Sequence, residues 1–298
     1  MAEANRQGER ALPNWWVHRT PEGIFTGPLD GQMTPGRAEL QRDRRVATPL
    51  EILRVLTRAD FRARYRAQAL GVLWSLLYPL VMMGILSLIF ARVFRPNVVH
   101  FPVFLLIGLI CWQWVTNSLS AATQVFIQHA DIVKRTVFAR QLLPISAVLS
   151  YAINAGIESL VLLAFVPFFP EAFRLSPALL LVPALLLVLG ALLCGLGMAT
   201  SVLNVLYRDV AYLVSTGLLL LHWLTPVIYP PEVLPEPYRS VLRWNPLGAI
   251  LTALRRAIML GEAPDLLAWA TILLPTAAVC LVGGWIFRHY EHMVLDYV

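Results

Sequence analysis

The residues best suited to bind an anion are three arginines at alternate positions, Arg62, Arg64 and Arg66. Each guanidinium presents several N–H donors in a planar fork, which matches the oxygens of a phosphate group. The same charges would also be attracted to any anionic lipid surface, by about 1 kcal/mol per charge. The residue types therefore indicate phosphate or anionic-lipid binding and leave the choice between the two open.

A later stretch, residues 112–124, lies within an apolar segment long enough to cross a membrane and yet carries indole, hydroxyl and amide side chains. Polar groups this dense in lipid are expected to face water or a neighbouring helix. In the first case they would line a path for a polar solute, and in the second they would only join helices. The residues that fit the first interpretation are Trp112, Gln113, Trp114, Thr116, Asn117, Ser118, Ser120, Thr123 and Gln124.

Two polar side chains, Asn154 and Glu158, interrupt another apolar segment. Positions four apart lie on one face of a helix, so the two groups can hydrogen-bond each other or a neighbouring helix. A carboxylate inside a membrane segment is otherwise a candidate for proton transfer. A proton relay needs a chain of such groups, and only His222 lies at comparable depth. We therefore favour structural pairing of Asn154 with Glu158.

The sequence has few features of a nucleotide-binding or metal-binding site. The only lysine, Lys134, has no glycines before it, whereas a phosphate-binding loop needs a lysine after its glycines. The three cysteines stand singly in apolar runs without CxxC spacing, and His289 and His292 have no further ligands near them. We predict no catalytic residue, no metal site and no cofactor in this chain. If ATP drives the protein, another chain must bind it.

The composition of the chain indicates whether these groups belong to a soluble or a membrane protein. Of the 298 residues, 58% are hydrophobic and 14% are charged, whereas about a quarter of the residues of a soluble domain are charged. Too few polar groups remain to cover a water-facing surface. The chain is therefore predicted to be an integral membrane protein.

The chain divides into three regions. Residues 1–47 are polar and rich in proline, glycine and arginine, and we expect a cytoplasmic extension that is partly extended or disordered. Residues 48–68 begin with Thr48, Pro49 and Glu51, the capping pattern of a helix start. Apolar residues mixed with arginines follow, which predicts an amphipathic interface helix at the membrane headgroups. Residues 69–298 form the transmembrane domain.

The predicted fold of this domain is all-α, with six transmembrane helices. Each apolar segment is near the ~20 residues that cross the hydrocarbon, and the segments are 70–91, 101–125, 145–169, 178–206, 210–229 and 266–287. The loop at 230–265 contains a helical stretch that is too short and, with Arg255 and Arg256, too charged to span. Its length predicts a re-entrant or interfacial stretch before the last span.

The orientation follows from the even number of spans and from the basic residues. An even number of spans places both termini on one side of the membrane. Because the first helix and its basic flank usually set the orientation, both termini are expected in the cytoplasm. The arginine bias is modest, since arginines also flank the outer ends of the spans.

Four sequence patterns carry a resemblance to a known family. They are LTRADFRARYR at 56–66 leading into LGVLW at 70–74 and YP at 78–79, IVKRTVFARQLLP at 132–144, YRD at 207–209 with TPVIY at 225–229, and LP at 234–235 with NPL at 245–247 and Arg255. In this order and at these spacings the chain resembles the ABC-2 type permeases that export O-antigen, capsule and teichoic acid. The resemblance implies that the loop at 230–265 forms short re-entrant extracytoplasmic helices before the last span. The match covers nearly everything from about Leu50 onward. It departs at Ala139, where the family often has proline.

The resemblance implies an assembly and a substrate. It implies a homodimer of this chain bound to two copies of a separate ABC ATPase subunit, which binds ATP and Mg. It further implies a central channel in the bacterial inner membrane for a polysaccharide attached to undecaprenyl pyrophosphate, as in lipopolysaccharide O-antigen export. No nucleic acid is expected as a partner.

The resemblance also assigns expected roles to residues. Residues 128–143 become the ATPase-coupling segment, although their charges would also fix topology. Its expected contact residues are Ile132, Lys134, Arg135, Phe138 and Arg140. Arg62, Arg64 and Arg66 become candidates for the lipid pyrophosphate. The candidates for the glycan channel are Trp74, Tyr78, Trp112, Trp114, Asn117, Ser120, Gln124, Trp223 and Tyr229.

Three other functions fit parts of the sequence. An ABC-2 exporter of a drug or a lipid would share this architecture and differ only in its cargo. A proton-coupled transporter predicts inverted repeats and broken helices, which are not evident. A membrane-embedded transferase needs paired carboxylates or a metal, and Asp60 and Asp209 have no acidic neighbour in the sequence.

Overall fold

The computed structural model describes residues 18–20, 23–25, 48–65, 73–90, 99–135 and 138–297. Two strands, β1 (His18–Thr20) and β2 (Gly23–Phe25), pair antiparallel within the N-terminal extension, with His18 opposite Phe25. From residue 48 onward the described chain is helical or connecting, as the all-α expectation has it. Arg66, the end of the expected interface helix and the start of the first expected span lie outside the described residues.

Helix α1 (Pro49–Tyr65) begins with a reciprocal cap. The backbone N–H of Glu51 donates to Thr48 Oγ1 at 3.3 Å, and the backbone N–H of Thr48 donates to Glu51 Oε2 at 2.8 Å. The predicted capping pattern is therefore confirmed. Helix α1 buries Leu56 and Thr57 and packs against α5 (Leu142–Ala164), while its arginine-rich side remains more exposed.

Six apolar helices form the body of the molecule. They are α2 (Leu73–Ile89), α3 (Phe101–Gln128), α5, α6 (Val182–Leu206), α7 (Val210–Leu224) and α10 (Leu266–Tyr290). Within the described residues, four apolar segments can cross a membrane by length and composition: Phe101–Gln128, Leu142–Ala164, Pro177–Leu206 and Leu266–Met293. Helices α2 and α7 are apolar but shorter, with 17 and 15 residues.

Helix α7 ends earlier than the apolar segment 210–229 suggests. Its last residue is Leu224, and Thr225 has the extended backbone angles φ −104° and ψ 136°. The cause is Pro226, which disfavours helical angles at the preceding residue and has no N–H to continue the helix. Residues 225–228 leave the helix as a buried connection.

Between α7 and α10 lie two short helices, α8 (Glu236–Leu242) and α9 (Pro246–Arg255), and a π-helical turn at Arg256–Leu260. Asn245 caps α9, because its side chain accepts from the Leu247 N–H at 3.1 Å and donates to Thr225 Oγ1 at 3.0 Å. The short helices expected at 230–265 are present, and α9 packs against α3, α6 and α10.

Helix α3 lies at the centre and contacts α2, α5, α6 and α7. Its N-terminal end meets residues 225–228 and α9, and we call this end of the molecule the loop end. Its C-terminal end lies beside α1 and α4 (Ala130–Arg135), and we call this the α1 end. The C-terminal turn at Glu291–Met293 also reaches the α1 end, since Arg140 donates to the carbonyl of Glu291 at 2.5 Å.

Helices α6 and α10 cross closely at two glycines. The carbonyl of Gly195 lies so near Gly283 that a Cβ atom there would overlap it. Small residues allow this approach of two helix backbones, which is the usual device for packing helices in lipid. The crossing holds the last apolar helix against the central layer.

Candidate functional site

A cavity of about 670 Å³ lies between α2, α3 and α7, and we call it the α3 cavity. Its lining residues are Tyr78, Met82, Leu86, Leu109, Trp112, Gln113, Thr116, Asn117, Ser120, Ser215, Leu218, Leu219, His222, Trp223 and Ile228. The α3 members recur every three or four positions from Leu109 to Ser120, so they form one face of the helix. Among the described lining residues none is Asp, Glu, Lys or Arg.

Three of these lining residues hold buried hydrogen-bonding atoms that have no partner in the described structure. They are Oε1 of Gln113, Oγ1 of Thr116 and Nδ1 of His222. Buried polar atoms are nearly always hydrogen-bonded, because an unpaired one costs about 1–3 kcal/mol. Three such atoms on one cavity indicate that water, a polar ligand or another chain satisfies them.

Aromatic rings line the same cavity. The ring of His222 lies 5.1 Å from the ring of Trp112 and 5.7 Å from the ring of Trp223. Trp223 is 60% exposed and Tyr78 is 53% exposed, so parts of both rings are free to contact another molecule. Hydrogen-bonding groups beside accessible aromatic surfaces suit a ligand with hydroxyl groups and apolar C–H faces.

The cavity brings together five of the nine residues expected to line a channel: Tyr78, Trp112, Asn117, Ser120 and Trp223. The other four lie elsewhere. Trp114 is buried on the opposite side of α3 and donates its indole N–H to the carbonyl of Val148 at 3.3 Å. Gln124 and Trp74 are exposed outside the cavity. The hydroxyl of Tyr229 donates to the carbonyl of Trp223 at 2.7 Å.

Gln113 and Thr116, which belong to the polar set expected within 112–124, also line the cavity, whereas Ser215 and His222 line it without having been selected from the sequence as channel residues. For Gln113 and Thr116, helical periodicity is a further signal, because Leu109, Gln113, Thr116 and Ser120 repeat at intervals of three and four. No comparable signal selected Ser215 and His222, because their place in the cavity depends on how α7 packs against α3.

The expected arginine cluster is divided in the structure. Arg62 is exposed, whereas Arg64 turns toward α5, where it donates to Ser150 Oγ at 3.1 Å and stacks 3.5 Å above the ring of Tyr151. Nη1 of Arg64 is buried and has no partner in the described structure. Arg66 lies outside the described residues.

Arg64 borders a second cavity of about 310 Å³ between α1, α3 and α5. Its wall includes Asp60 and His129, whose Oδ1 and Nε2 atoms are 3.4 Å apart. Nδ1 of His129 lies 3.1 Å from the carbonyl of Val125, so the protonated ring can donate at both nitrogens. The hydrogen bond to Asp60 raises the pKa of His129 against the opposing effect of burial. This pair connects α1 to the C-terminal end of α3.

A chain of hydrogen bonds continues from α1 into α5. The hydroxyl of Tyr65 donates to Asn154 Oδ1, and the amide of Asn154 donates to Glu158 Oε1 at 2.6 Å. The predicted pairing of Asn154 with Glu158 is confirmed. Both residues are buried, so the carboxyl group of Glu158 is hydrogen-bonded inside the protein and does not face lipid.

The expected coupling segment, 128–143, forms a short helix and a turn at the α1 end. Helix α4 buries Val133 and exposes Lys134, and Ile132, just before Val133, is half-buried. Phe138 packs against the core, and Arg140 holds the carbonyl of Glu291. The exposed charge of Lys134 therefore lies on a segment that Val133 and Phe138 hold against the core and that Arg140 connects to the C-terminal turn. Arg135 ends α4, but its side chain is not among those described.

At the loop end, Arg255 is almost fully buried. It donates to the carbonyls of Phe104, Pro226 and Val227 at 3.2, 2.5 and 2.5 Å, and it lies 3.5 Å above the ring of Phe104. The guanidinium has room because residue 108 of α3 is glycine. In the sequence, Arg255 stood out as a charge that prevents spanning and as part of a family pattern, whereas the structure shows that it connects α9 and the residues after α7 to α3.

Comparison with known proteins places this geometry in a wider group. The profile of the ABC-2 type transporter family matches residues 51–259, more than half of the chain. An O-antigen export system permease protein RfbA from Klebsiella pneumoniae is 30% identical over 248 residues, which cover 81% of this chain and 94% of the relative. An RfbA protein from Myxococcus xanthus is 30% identical over 234 residues, covering 77% and 87%. A polysialic acid transport protein KpsM from Escherichia coli is 27% identical over 247 residues, covering 79% and 92%.

Proposed function

The chain belongs to the ABC-2 type transporter family, and on this premise we propose that it is the membrane permease of an ATP-driven polysaccharide exporter. Its cargo is a polysaccharide linked to undecaprenyl pyrophosphate, and it works in the bacterial inner membrane. The chain itself is not an enzyme, and a separate nucleotide-binding subunit hydrolyses ATP.

The observation that carries this proposal is the α3 cavity. A sugar polymer must slide without tight binding, so its path needs many weak contacts. The C–H faces of sugars contact aromatic rings, and their hydroxyls exchange hydrogen bonds with amide and hydroxyl side chains. The cavity offers Trp112, Trp223, Gln113, Thr116 and Asn117 between apolar helices. The similar proteins are named as an O-antigen export permease and a polysialic acid transport protein, which supports the same class of cargo.

We assign six membrane spans to α2, α3, α5, α6, α7 and α10. The four longer segments meet the length requirement. Helix α2 is bordered by residues outside the described ranges, and α7 gains length from the extended residues 225–228. Helix α1 and the C-terminal turn lie at the same end of the molecule, which fits an even number of spans with both termini in the cytoplasm. The α1 end is then cytoplasmic and the loop end extracytoplasmic.

A second copy of the chain completes the path in this proposal. Large apolar side chains flank the α3 cavity and are exposed in the single chain: Leu77, Val81 and Ile85 on α2, and Leu219 and Leu220 on α7. A homodimer formed across this face would cover them and enclose the polar side of α3. Two copies of the ATPase subunit, with ATP and Mg, would then bind the two α4 segments.

The lipid pyrophosphate is assigned to the arginines at the α1 end. Arg62 is exposed on α1 and is free to reach headgroup phosphates. Arg64 has an unpaired Nη1 at the neighbouring cavity, where it can contribute one further donor. Arg66 completes the proposed set.

Co-purification with the partner ATPase tests the proposal. The chain is expressed with and without an ABC ATPase subunit, purified in lipid nanodiscs and assayed for ATP hydrolysis. We expect no hydrolysis by the chain alone and a stable complex that hydrolyses ATP faster than the free ATPase. Hydrolysis by the chain alone, or an ATPase that neither binds nor responds to it, would contradict the proposal.

A further inference from the structure

We propose that the α3 cavity is a subsite for an uncharged sugar unit, with Gln113, Thr116 and His222 as its hydrogen-bonding residues. The exported polysaccharide is accordingly neutral, not polyanionic. This inference rests on the proposed function and adds to it the charge class of the substrate and the residues that select it.

The unpaired atoms supply the first argument. Gln113 Oε1 accepts hydrogen bonds, while Thr116 Oγ1 and His222 Nδ1 can each donate or accept, depending on hydroxyl rotation and ring tautomer. Sugar hydroxyls both donate and accept, so one sugar unit can satisfy all three atoms. A cation would use only the acceptor lone pairs of these groups and would leave the O–H of Thr116 without an acceptor, and an apolar ligand would leave all three atoms unpaired.

The aromatic rings supply the second argument. Trp112 stands beside His222, and Trp223 and Tyr78 present exposed ring surface on the facing helices. Sugar rings have C–H faces that pack on aromatic faces, while their hydroxyls point to the ring edge. The cavity provides both kinds of surface within one helix turn of α3, between Trp112 and Thr116.

The absence of formal charge supplies the third argument. Of the described lining residues, none is acidic, lysine or arginine. A carboxylate on each sugar, as in a sialic acid polymer, would enter this space between apolar helices without a compensating cation. Burying an unpaired carboxylate is far more costly than burying a hydroxyl that finds hydrogen bonds. The cavity therefore favours neutral units over acidic ones.

The test measures sugar binding to the purified permease–ATPase complex in nanodiscs. The probes are fluorescently labelled maltoheptaose, which is neutral, and a labelled α2,8-linked heptamer of sialic acid, which carries seven carboxylates. We expect maltoheptaose to bind at least tenfold more tightly than the sialic acid heptamer. Equal binding, tighter binding of the acidic heptamer, or no binding of maltoheptaose would overturn the inference.

Substitutions separate the subsite from unspecific binding. Gln113→Leu, Thr116→Val and His222→Phe should each weaken maltoheptaose binding by about fivefold or more, the effect of losing one hydrogen bond. Thr276→Val is the matched control, because Thr276 is buried on α10 and donates to the carbonyl of Ile272 at 2.7 Å, away from the cavity. If all three cavity variants bind like the Thr276→Val variant, the unpaired atoms serve a contact between two copies of the chain, and the inference is wrong.

A charge-gain variant provides a test that does not depend on loss of binding. Ser120→Lys places a cation on the lining of the cavity, and it should tighten binding of the sialic acid heptamer while weakening that of maltoheptaose. An unchanged ratio would contradict the assignment. ATP hydrolysis is recorded on the same samples. A complex with normal ATPase activity but no preference between the two sugars would refute this inference and would leave the proposed function unaffected.

Discussion

Arg255 is 5% exposed, and its guanidinium donates to three backbone carbonyls. Two of these carbonyls, from Pro226 and Val227, lie beyond the end of α7, where the chain is no longer helical. One side chain thus satisfies two buried carbonyls of the connection that follows α7. At the residue scale, this contact is what holds the loop end on α3.

Gly108→Ala tests that contact. The added Cβ would overlap Arg255 Nη2 and would stand 2.5 Å from the carbonyl oxygen of Val227, so the guanidinium must move. We expect a loss of about 1–3 kcal/mol in the free energy of unfolding, the usual cost of overpacking. The measurement is thermal unfolding in detergent. The matched control is Gly156→Ala on α5, where a Cβ meets nothing within 4 Å. Equal melting temperatures for the two variants would contradict the role of Arg255.

Thr116 and Thr276 permit a second comparison at this scale, in which the sign of the effect is informative. Thr116 Oγ1 is unpaired, whereas Thr276 Oγ1 donates to the carbonyl of Ile272. Thr116→Val should therefore leave the ligand-free protein equally or more stable, while Thr276→Val should destabilise it by about 1 kcal/mol. Urea or thermal unfolding without sugar measures both. A clear destabilisation by Thr116→Val would mean that this hydroxyl has a partner in the free protein.

At the scale of elements, α1 and α3 are joined by Asp60 and His129, just before α4. Asp60 raises the pKa of His129 above its ordinary 6.5. The contribution of this contact to stability is therefore fully present below about pH 6.5 and is lost as the pH rises through the raised pKa. Helix α1 should accordingly be held less firmly in mildly alkaline buffer.

The difference in melting temperature between the native chain and His129→Gln measures this contribution. We expect a difference at pH 6 that shrinks toward pH 9. His292→Gln, at an exposed histidine near the C-terminus, is the control and should show a difference that does not depend on pH. A His129→Gln difference that stays constant from pH 6 to pH 9 would show that the Asp60 contact does not involve the charged ring.

Helix α4 provides the second prediction at the element scale. Lys134 is exposed while the neighbouring Val133 is buried, so a change at Lys134 alters the presented charge without disturbing the core. Lys134→Glu should weaken association with the ATPase by about tenfold or more, because it reverses the charge at a contact. Arg243→Glu reverses an exposed charge in the loop between α8 and α9 and should have no effect on association. If both variants bind the ATPase like the native chain, α4 is not the coupling element.

For the whole molecule, the sequence was informative where local patterns decide the structure. Apolar length located the helices, and the capping residues Thr48 and Glu51 marked where α1 begins. The short, charged stretch around Arg255 predicted that the last loop would contain helices that cannot span. Each of these features depends on residues close together in the chain.

Features that depend on packing between helices could not be predicted in this way. Trp114 and Gln113 are adjacent and both amphipathic, and only the position of α3 among its neighbours decides that Trp114 faces Val148 while Gln113 faces the cavity. Arg64 was expected beside Arg62, but the ring of Tyr151 on α5 draws it inward. The end of α7 at Leu224 could have been predicted, because Pro226 disfavours a helical conformation at Thr225. The apolar run up to Tyr229 instead suggested a longer span.

The central claim for the whole molecule is that ATP hydrolysis by a separate subunit drives export of a lipid-linked polysaccharide through this permease. The most direct measurement uses proteoliposomes in which the chain and its ATPase are oriented with the α1 end outward. Undecaprenyl-pyrophosphate-linked polysaccharide is present on the outer side of the vesicles. An externally added glycosidase reports how much polysaccharide remains outside. We predict that ATP makes the polysaccharide progressively resistant to the glycosidase, and that omitting either ATP or the ATPase abolishes this protection. Protection that arises from the permease alone with a proton gradient, or no protection in the complete system while ATP is hydrolysed, would contradict the account.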